Sequence, residues 1–455
     1  MPDARYLEEE KISVLLWRFS LPAIAGMLAA ACYNVIDSIF VGQGVGVIAL
    51  TAVTIAFPIM AFLMAIGMLI GIGSGALVSI SLGEKNIEEA EQILGNALMM
   101  AIVFIVPAVL VVLHFLDPLL TSVMGATPAV LPYARDFVSI ILISSVFLHI
   151  GFGLNNVVRA QGAPKTALAT QILSVVVNLV LDYVFIFVFH WGIKGAAWAT
   201  AIGQGSSAVW VLAFFLSGRG VLKLRLRHLR PNLAIMRRIA AIGVAPFAMQ
   251  LGLSAVMVAL NWLILGLGGD VAVAAFGVVN RVTMLALMPV IGISQGAQPI
   301  IGYNFGAEKP RRVVETVTRA TVAASAVCVV SFLAAELFAD GIIRLFGDEP
   351  QMIETGRTAL RIFIAALPLV GAQIIGANYF QAVNKAHYAV VFSLLRQIIV
   401  FIPAACLLSR FWGLTGVWVA GPASDLASVV ITALCVSADL RAYLKRYAVP
   451  VETAA

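Results

Sequence analysis

The run VVVNLVLDYVFIFVF (175–189) sets Asn178 and Asp182 four residues apart in an otherwise apolar stretch. On a helix that spacing puts an amide and a carboxylate on one face. A carboxylate held mid-span in hydrocarbon costs roughly 2.5–3.5 kcal/mol on insertion scales. A chain that keeps one there either uses it or satisfies it against a neighbouring helix. YNVID, in the first apolar run, repeats the spacing with Tyr33 and Asp37. Two acids sharing a dry polar pocket repel each other when both are ionised. Such a pair suits an exchangeable cation, a proton that is loaded and released, or a sodium ion. The other reading of Asp37, which lies late in its run, is a cap or hydrogen bond near the outer surface.

A second group of charges lies further along. Arg281, Arg396 and Asp425 fall inside apolar runs, and a buried ion pair between Arg396 and Asp425 is the least costly way to keep either charge there. That pair is a structural lock or has a direct substrate or coupling role, and Arg281 could instead complete a network with Asp425. His149 reads as a helix contact or a proton relay. The chain has four cysteines, all within apolar runs, and five scattered histidines. No disulfide framework, metal site or cofactor is expected. CxxC, HExxH, Walker A and GxSxG patterns are absent, so enzymatic chemistry and ATP-driven pumping are disfavoured.

The elements that must position these residues are membrane helices. The 455 residues are 61% hydrophobic and 11% charged, whereas soluble domains carry about 25% charged residues. Strand alternation of the barrel kind is absent. A span needs about 20 apolar residues, which predicts twelve: 14–40, 47–80, 93–116, 131–157, 166–189, 195–216, 239–266, 271–301, 315–338, 357–381, 388–408 and 414–437. With both termini cytoplasmic, inside segments from Arg5 to Arg446 collect twenty Lys and Arg against six outside, with the remaining three of the 29 within spans. The net charge of +6 therefore reflects membrane orientation and not nucleic-acid binding. The start, MPDARYLEEEKISVLLWRF, leads into a full span and does not resemble a cleavable leader.

The chain also repeats itself. VGQGVGVIAL (41–50) parallels LGLGGDVAVA (265–274), SLGEK (81–85) parallels NFGAEK (304–309), and WGIKGAAW (191–198) parallels WGLTGVWV (412–419). This predicts an all-α integral membrane protein of two pseudo-symmetric six-helix lobes around a central cleft. The lobes are 1–216 and 239–455, joined by a basic cytoplasmic loop, 217–238. Even-span copies share one orientation, which is transporter architecture. The copies differ in charge: the mate of Asp37 is Asn261, and the first lobe holds two deep acids with no deep cation of its own. Pro22 and its mate Pro246 free backbone carbonyls within their helices. The glycines of GMLIGIGSGA (67–76) signal close helix packing or a hinge.

Taken in order, LPAI with VIDSIFVG, SLGEKN, RAQGAPK, NLVLDYVFI, SQGAQPIIGYNFGA and QAVNK resemble the multidrug and toxic compound extrusion (MATE) family over essentially the whole chain. The resemblance implies twelve helices in two lobes and export of drugs in exchange for protons or sodium ions. For the bacterial and archaeal proton-type branch it implies a first-lobe network of Asp37, Asp182, Asn178, Tyr33, Thr200 and Asn155, with Pro22 bending the first helix. Gln250, Asn261 and Gln373 stand where another branch has acids, so coupling of that kind is not matched. The expected function is a multi-pass antiporter of the cell (inner) membrane that exports cationic amphipathic compounds by alternating access. Tyr33, Phe152, Met249 and Met257 would supply adaptable apolar contact. Its expected partners are drug-like small molecules and the lipid bilayer, with no obligatory protein partner. The alternatives are a lipid-linked oligosaccharide flippase or an organic-anion exporter, for which Arg281 and Arg396 would line the path, and a channel or scaffold.

Overall fold

The computed structural model describes residues 6–345 and 350–448, and Arg5 lies outside them. Among these residues every regular element is helical. The spans are α1 (Ile12–Gly44), α2 (Val47–Gly83), α3 (Ile87–Val103, continuing as Ile105–His114), α4 (Leu131–Ala160), α5 (Pro164–Tyr183) and α6 (Ile193–Leu216). They continue as α7 (Leu233–Gly269), α8 (Val271–Gly306) and α9 (Pro310–Leu337). α10 is a bent pair, Pro350–Phe363 and Leu367–Ala382, at 50°. α11 (386–412) and α12 (414–448) run together and part at Gly413, where φ is 55° and ψ −133°. Ten stretches are long and apolar enough to cross as they stand, and the bent pair makes eleven. The break at Gly413 makes twelve.

Several spans are longer than hydropathy alone indicates, because helices continue past the apolar run into polar residues. The bend in α10 has a local cause. Its second half begins at Leu367 with Pro368 next, and a proline, lacking the N–H that would continue the preceding helix, suits the first turn of a new one.

Backbone conformations repeat with the sequence. Positive φ occurs at Gly46 and Gly269, Lys85 and Glu308, Gly162 and Asn384, and Gly192 and Gly413. Each pair is 221–223 residues apart, so the two halves turn at the same places with or without glycine. Within the chain, contacts divide into two units: residues 6–9 with Ala25–Phe247, and Glu10–Ile24 with 248–448. The division does not follow chain order. It assigns the first turns of α1 to the second unit and those of α7 to the first. Pro22 and Pro246 lie within two residues of these changes.

In the first unit α4 is central and packs on both α2 and α6. The glycines of α2 serve close packing. A Cβ at Gly73 would lie 2.2 Å from Ile239 O, and one at Gly243 only 1.9 Å from Leu69 O, so α2 and α7 cross backbone to backbone. Gly243→Ala must push these helices apart. A loss of about 1–3 kcal/mol is expected, read as a lowered unfolding temperature in detergent; an unchanged value would contradict the crossing.

The faces turned outward are apolar. On α5, Val176 and Val180 are 51% and 56% exposed, while Asn178 and Asp182 on the other face are 3% and 0% exposed. This is the arrangement for a helix whose surrounding solvent is lipid.

Candidate functional site

The first unit gathers most of the residues singled out above. Asp37 projects from α1, Asn178 and Asp182 from α5, and Thr200 from α6. Two close approaches set the geometry. A Cβ at Gly203 of α6 would meet Asn178 Cβ and Ser174 O, each at 2.9 Å, and Ser174 Oγ donates to Gly203 O at 2.8 Å. Glycine there lets α6 seat against α5, which brings Asn178 Nδ2 to donate to Thr200 Oγ1 at 3.3 Å. One turn beyond the acids, Phe40 stacks edge-on against Phe187, 5.6 Å between centroids, and lies 6.4 Å from Tyr183, fixing α1 to α5. α5 then continues as a π-helical turn, Val184–Val188, directly after Asp182 and Tyr183. Such turns are rare in helices and recur at functional sites.

The carboxyls of Asp37 and Asp182 are neighbours, close enough to interact directly. Tyr33 of α1 neighbours Thr200 and both acids. Tyr33, Thr200 and Asn178 thus gather beside the acid pair, the last two joined by a hydrogen bond. Asp37 Oδ1, both oxygens of Asp182 and Asn178 Oδ1 are buried, and none receives an N–H or O–H donor among the described residues. Two facing carboxylates are acceptors only, so their proximity satisfies neither. Among the described residues no basic side chain pairs with either acid. Asp37 caps no helix end; it sits within α1, one face of which is this pocket.

Two expected members stand differently. Asn155 of α4 donates to Ala167 O at 3.1 Å, a contact between α4 and α5, and its Oδ1 is buried without a donor. Pro22 belongs to the second unit. His149 is fully buried, with its ring nitrogens 2.5 Å from Ser145 O and 2.9 Å from Leu63 O, a bridge between α4 and α2.

In the second unit Arg396 Nε donates to Asp425 Oδ1 at 2.5 Å. Arg396 lies in the π-helical turn Leu395–Val400 of α11. Arg281 is exposed and forms no ion pair with Asp425, so the three-residue network reduces to a pair. A further cluster that sequence reading missed closes the end of this unit. Asp439 accepts from Tyr379 at 2.7 Å and pairs with Lys385.

Among the described residues, twelve helices in duplicated halves with polar groups buried in the spans have the architecture of a membrane transporter. The MatE family model matches the chain twice, over residues 22–184 and 246–407. The chain belongs to that family, whose members are transporters and not enzymes. Its relatives include the multidrug export protein MepA of Staphylococcus haemolyticus (strain JCSC1435), 28% identical over 414 residues, covering 90% of each chain. MepA of Staphylococcus aureus (strain N315) is 26% identical over 450 residues, covering 98% of this chain and 97% of that one. The fold superimposes with a TM-score of 0.92 on an outward-facing multidrug resistance MATE family transporter of the MOP superfamily, at 23% identity over 98% of this chain and 99% of the other.

Proposed function

We propose that the chain is a secondary antiporter that exports cationic amphipathic small molecules across the cell membrane in exchange for protons, with both termini cytoplasmic. The observation that carries this is the group of four buried acceptor oxygens on Asp37, Asp182 and Asn178 with no protein donor. Two like unit charges about 4 Å apart repel by roughly 4 kcal/mol at the effective dielectric of a protein site. A cation that enters between them relieves that repulsion, and two kinds compete for the place: a proton, and the positive end of a substrate. Binding of one weakens the other, which is the coupling an antiporter needs. Neighbouring carboxyls with no other donor among the described residues fit a shared proton, and the sodium arm of the test below decides between the two ions. The name multidrug export protein carried by relatives that align along nearly the whole chain supports the substrate class.

The exchange proceeds by alternating access. On the outer side a proton joins Asp37 and Asp182 and the substrate leaves; on the inner side the proton departs and the substrate reloads. Each pH unit of gradient supplies about 1.4 kcal/mol per proton. The test is efflux of a fluorescent quaternary ammonium dye from proteoliposomes under an imposed pH gradient or an imposed sodium gradient. Efflux driven by the pH gradient and indifferent to sodium is expected; the reverse pattern would overturn proton coupling.

Thr200→Val keeps the side-chain shape but removes the hydroxyl that accepts from Asn178. Losing a hydrogen bond of about 1 kcal/mol slows driven efflux roughly fivefold without abolishing it. An unchanged rate would show that the hydroxyl has no part in exchange.

A further inference from the structure

We propose that the linker between α6 and α7 binds the phosphate of an anionic phospholipid in the leaflet it faces, the cytoplasmic one on the orientation proposed above.

Residues 217–238 carry seven Lys and Arg and no acid. Three of the seven are neutralised by the first turns of α3. Arg225 Nε lies 2.7 Å from Glu91, Arg227 Nη2 3.0 Å from Glu88, and Arg238 Nη1 2.5 Å from Glu89. The remaining four, Arg219, Lys223, Arg230 and Arg237, are exposed and form no ion pair among the described residues. This surplus is not on a loose loop. Leu222 N donates to Gln161 Oε1 at 3.0 Å, Lys223 N to Glu91 Oε1 at 3.2 Å, and Asn232 N to Asn96 Oδ1 at 2.7 Å. A Cβ at Gly95 would lie 2.3 Å from His228 O, so the linker rests directly on α3.

Against this fixed backbone lies a cavity of about 400 Å³ lined by Arg227, His228, Arg230, Asn232 and Leu233, among others. His228 is 6% exposed, and its buried Nδ1 has no hydrogen-bond partner, the Glu91 carboxylate standing 3.7 Å away. The Arg230 guanidinium, exposed and without an ion pair among the described residues, offers the planar donor fork that phosphate accepts, while Arg227, held by Glu88 and donating its Nε–H to His228 Nε2 at 2.8 Å, lines the wall. Two leucines flank the basic residues, Leu226 at 86% and Leu233 at 79% exposed. A linker surrounded by water gains nothing from baring them. At the level of lipid headgroups the same residues dip toward the acyl chains while the arginines meet phosphate. Charge complementarity together with this apolar flank selects a lipid phosphate over a free one.

The test uses the purified full chain in neutral detergent, titrated with dioleoyl phosphatidylglycerol and read by native mass spectrometry. Wild type is expected to hold a tight phosphatidylglycerol adduct and to take up phosphatidylcholine poorly. An arginine beside an anionic headgroup contributes roughly fivefold in affinity. Arg230→Gln, which breaks no ion pair within the protein, should therefore weaken the adduct about fivefold. Leu233→Ser should weaken it further, and Arg230→Lys should recover part of the loss. Equal affinity in Arg230→Gln and wild type, or equal uptake of phosphatidylcholine, would overturn the proposal. Inorganic phosphate that displaces the lipid and binds as tightly alone would overturn the lipid assignment in favour of a free-anion site. Micelle binding does not depend on orientation. That is read separately, by labelling a cysteine placed at Ser217, in a background without the four native cysteines, with an impermeant maleimide in intact cells. Labelling from outside would reverse the orientation and leave the lipid site standing.

Discussion

Asp182→Asn is expected to abolish driven efflux, reducing dye export from proteoliposomes to the level of empty vesicles while the protein folds and melts as wild type or above it. The substitution keeps shape and polarity and removes one of two facing negative charges. Without that charge the pocket no longer has to choose between a proton and a cationic substrate, and the gradient loses its purchase on transport. Stability should hold, because both Asp182 oxygens are buried without a donor and an amide there supplies two of its own. Asp37→Asn should have the same effect on driven efflux. Its carboxyl is less deeply buried, however, so its effect on melting should be smaller. Gradient-driven export that survives in either variant would remove that acid from the exchange. The folded state is checked alongside by size-exclusion profile and thermal unfolding, since loss of transport in a misfolded protein would say nothing of coupling.

Arg396→Leu should destabilise the protein by about 3–5 kcal/mol, because it leaves Asp425 buried without its cation. The side chains of Arg396 and Asp425 are 19% and 10% exposed, so little solvent is at hand to take over. The double variant Arg396→Leu with Asp425→Leu should regain most of that loss, since a packed apolar pair of similar volume replaces the ion pair without leaving a lone charge. Thermal unfolding in detergent measures both. Dye efflux then separates the two readings of the pair: an active double variant makes it a lock between α11 and α12, and an inactive but stable one gives it a part in transport. A single variant as stable as wild type would show that Asp425 finds another partner, with Arg281, exposed on α8, the first place to look.

The sequence discloses this fold because lipid imposes a simple rule. Apolar length marks each span, and the repeated VGQG/LGLG and WG turns mark the duplication, later visible as matched positive φ at Gly46 and Gly269 and at Gly192 and Gly413. The acids are legible for the same reason: Asp182 is conspicuous where hydrocarbon should exclude it, and its spacing from Asn178 fixes a common face. Thr200 is not conspicuous. Hydroxyls are common in membrane helices, and only the close seat of α6 on α5 at Gly203 brings this one to Asn178. Family resemblance, not residue chemistry, drew attention to it. The face on which a lone charge falls is equally hidden, which is why Arg281 could be joined to Asp425 on paper and stands apart from it in space. The linker was legible as a basic loop, but its seat on α3 was hidden for a different reason. Its basic run reads as a cytoplasmic loop, and the acids that neutralise three of its seven charges lie on α3, more than 130 residues earlier, where nothing local announces the pairing. Assignment of the first turns of α1 to the second unit likewise depends on partners remote in sequence.

The central claim is that the Asp37–Asp182 pair owes its neutrality to a cation that comes and goes, and proton release on substrate binding measures it most directly. Purified protein in weakly buffered detergent at neutral pH is mixed with a quaternary ammonium substrate, which carries no proton of its own, while a pH indicator records the solution. The account predicts a proton set free for each substrate bound in wild type and none in Asp182→Asn. Binding with no proton released, or with the same release in Asp182→Asn, would contradict it.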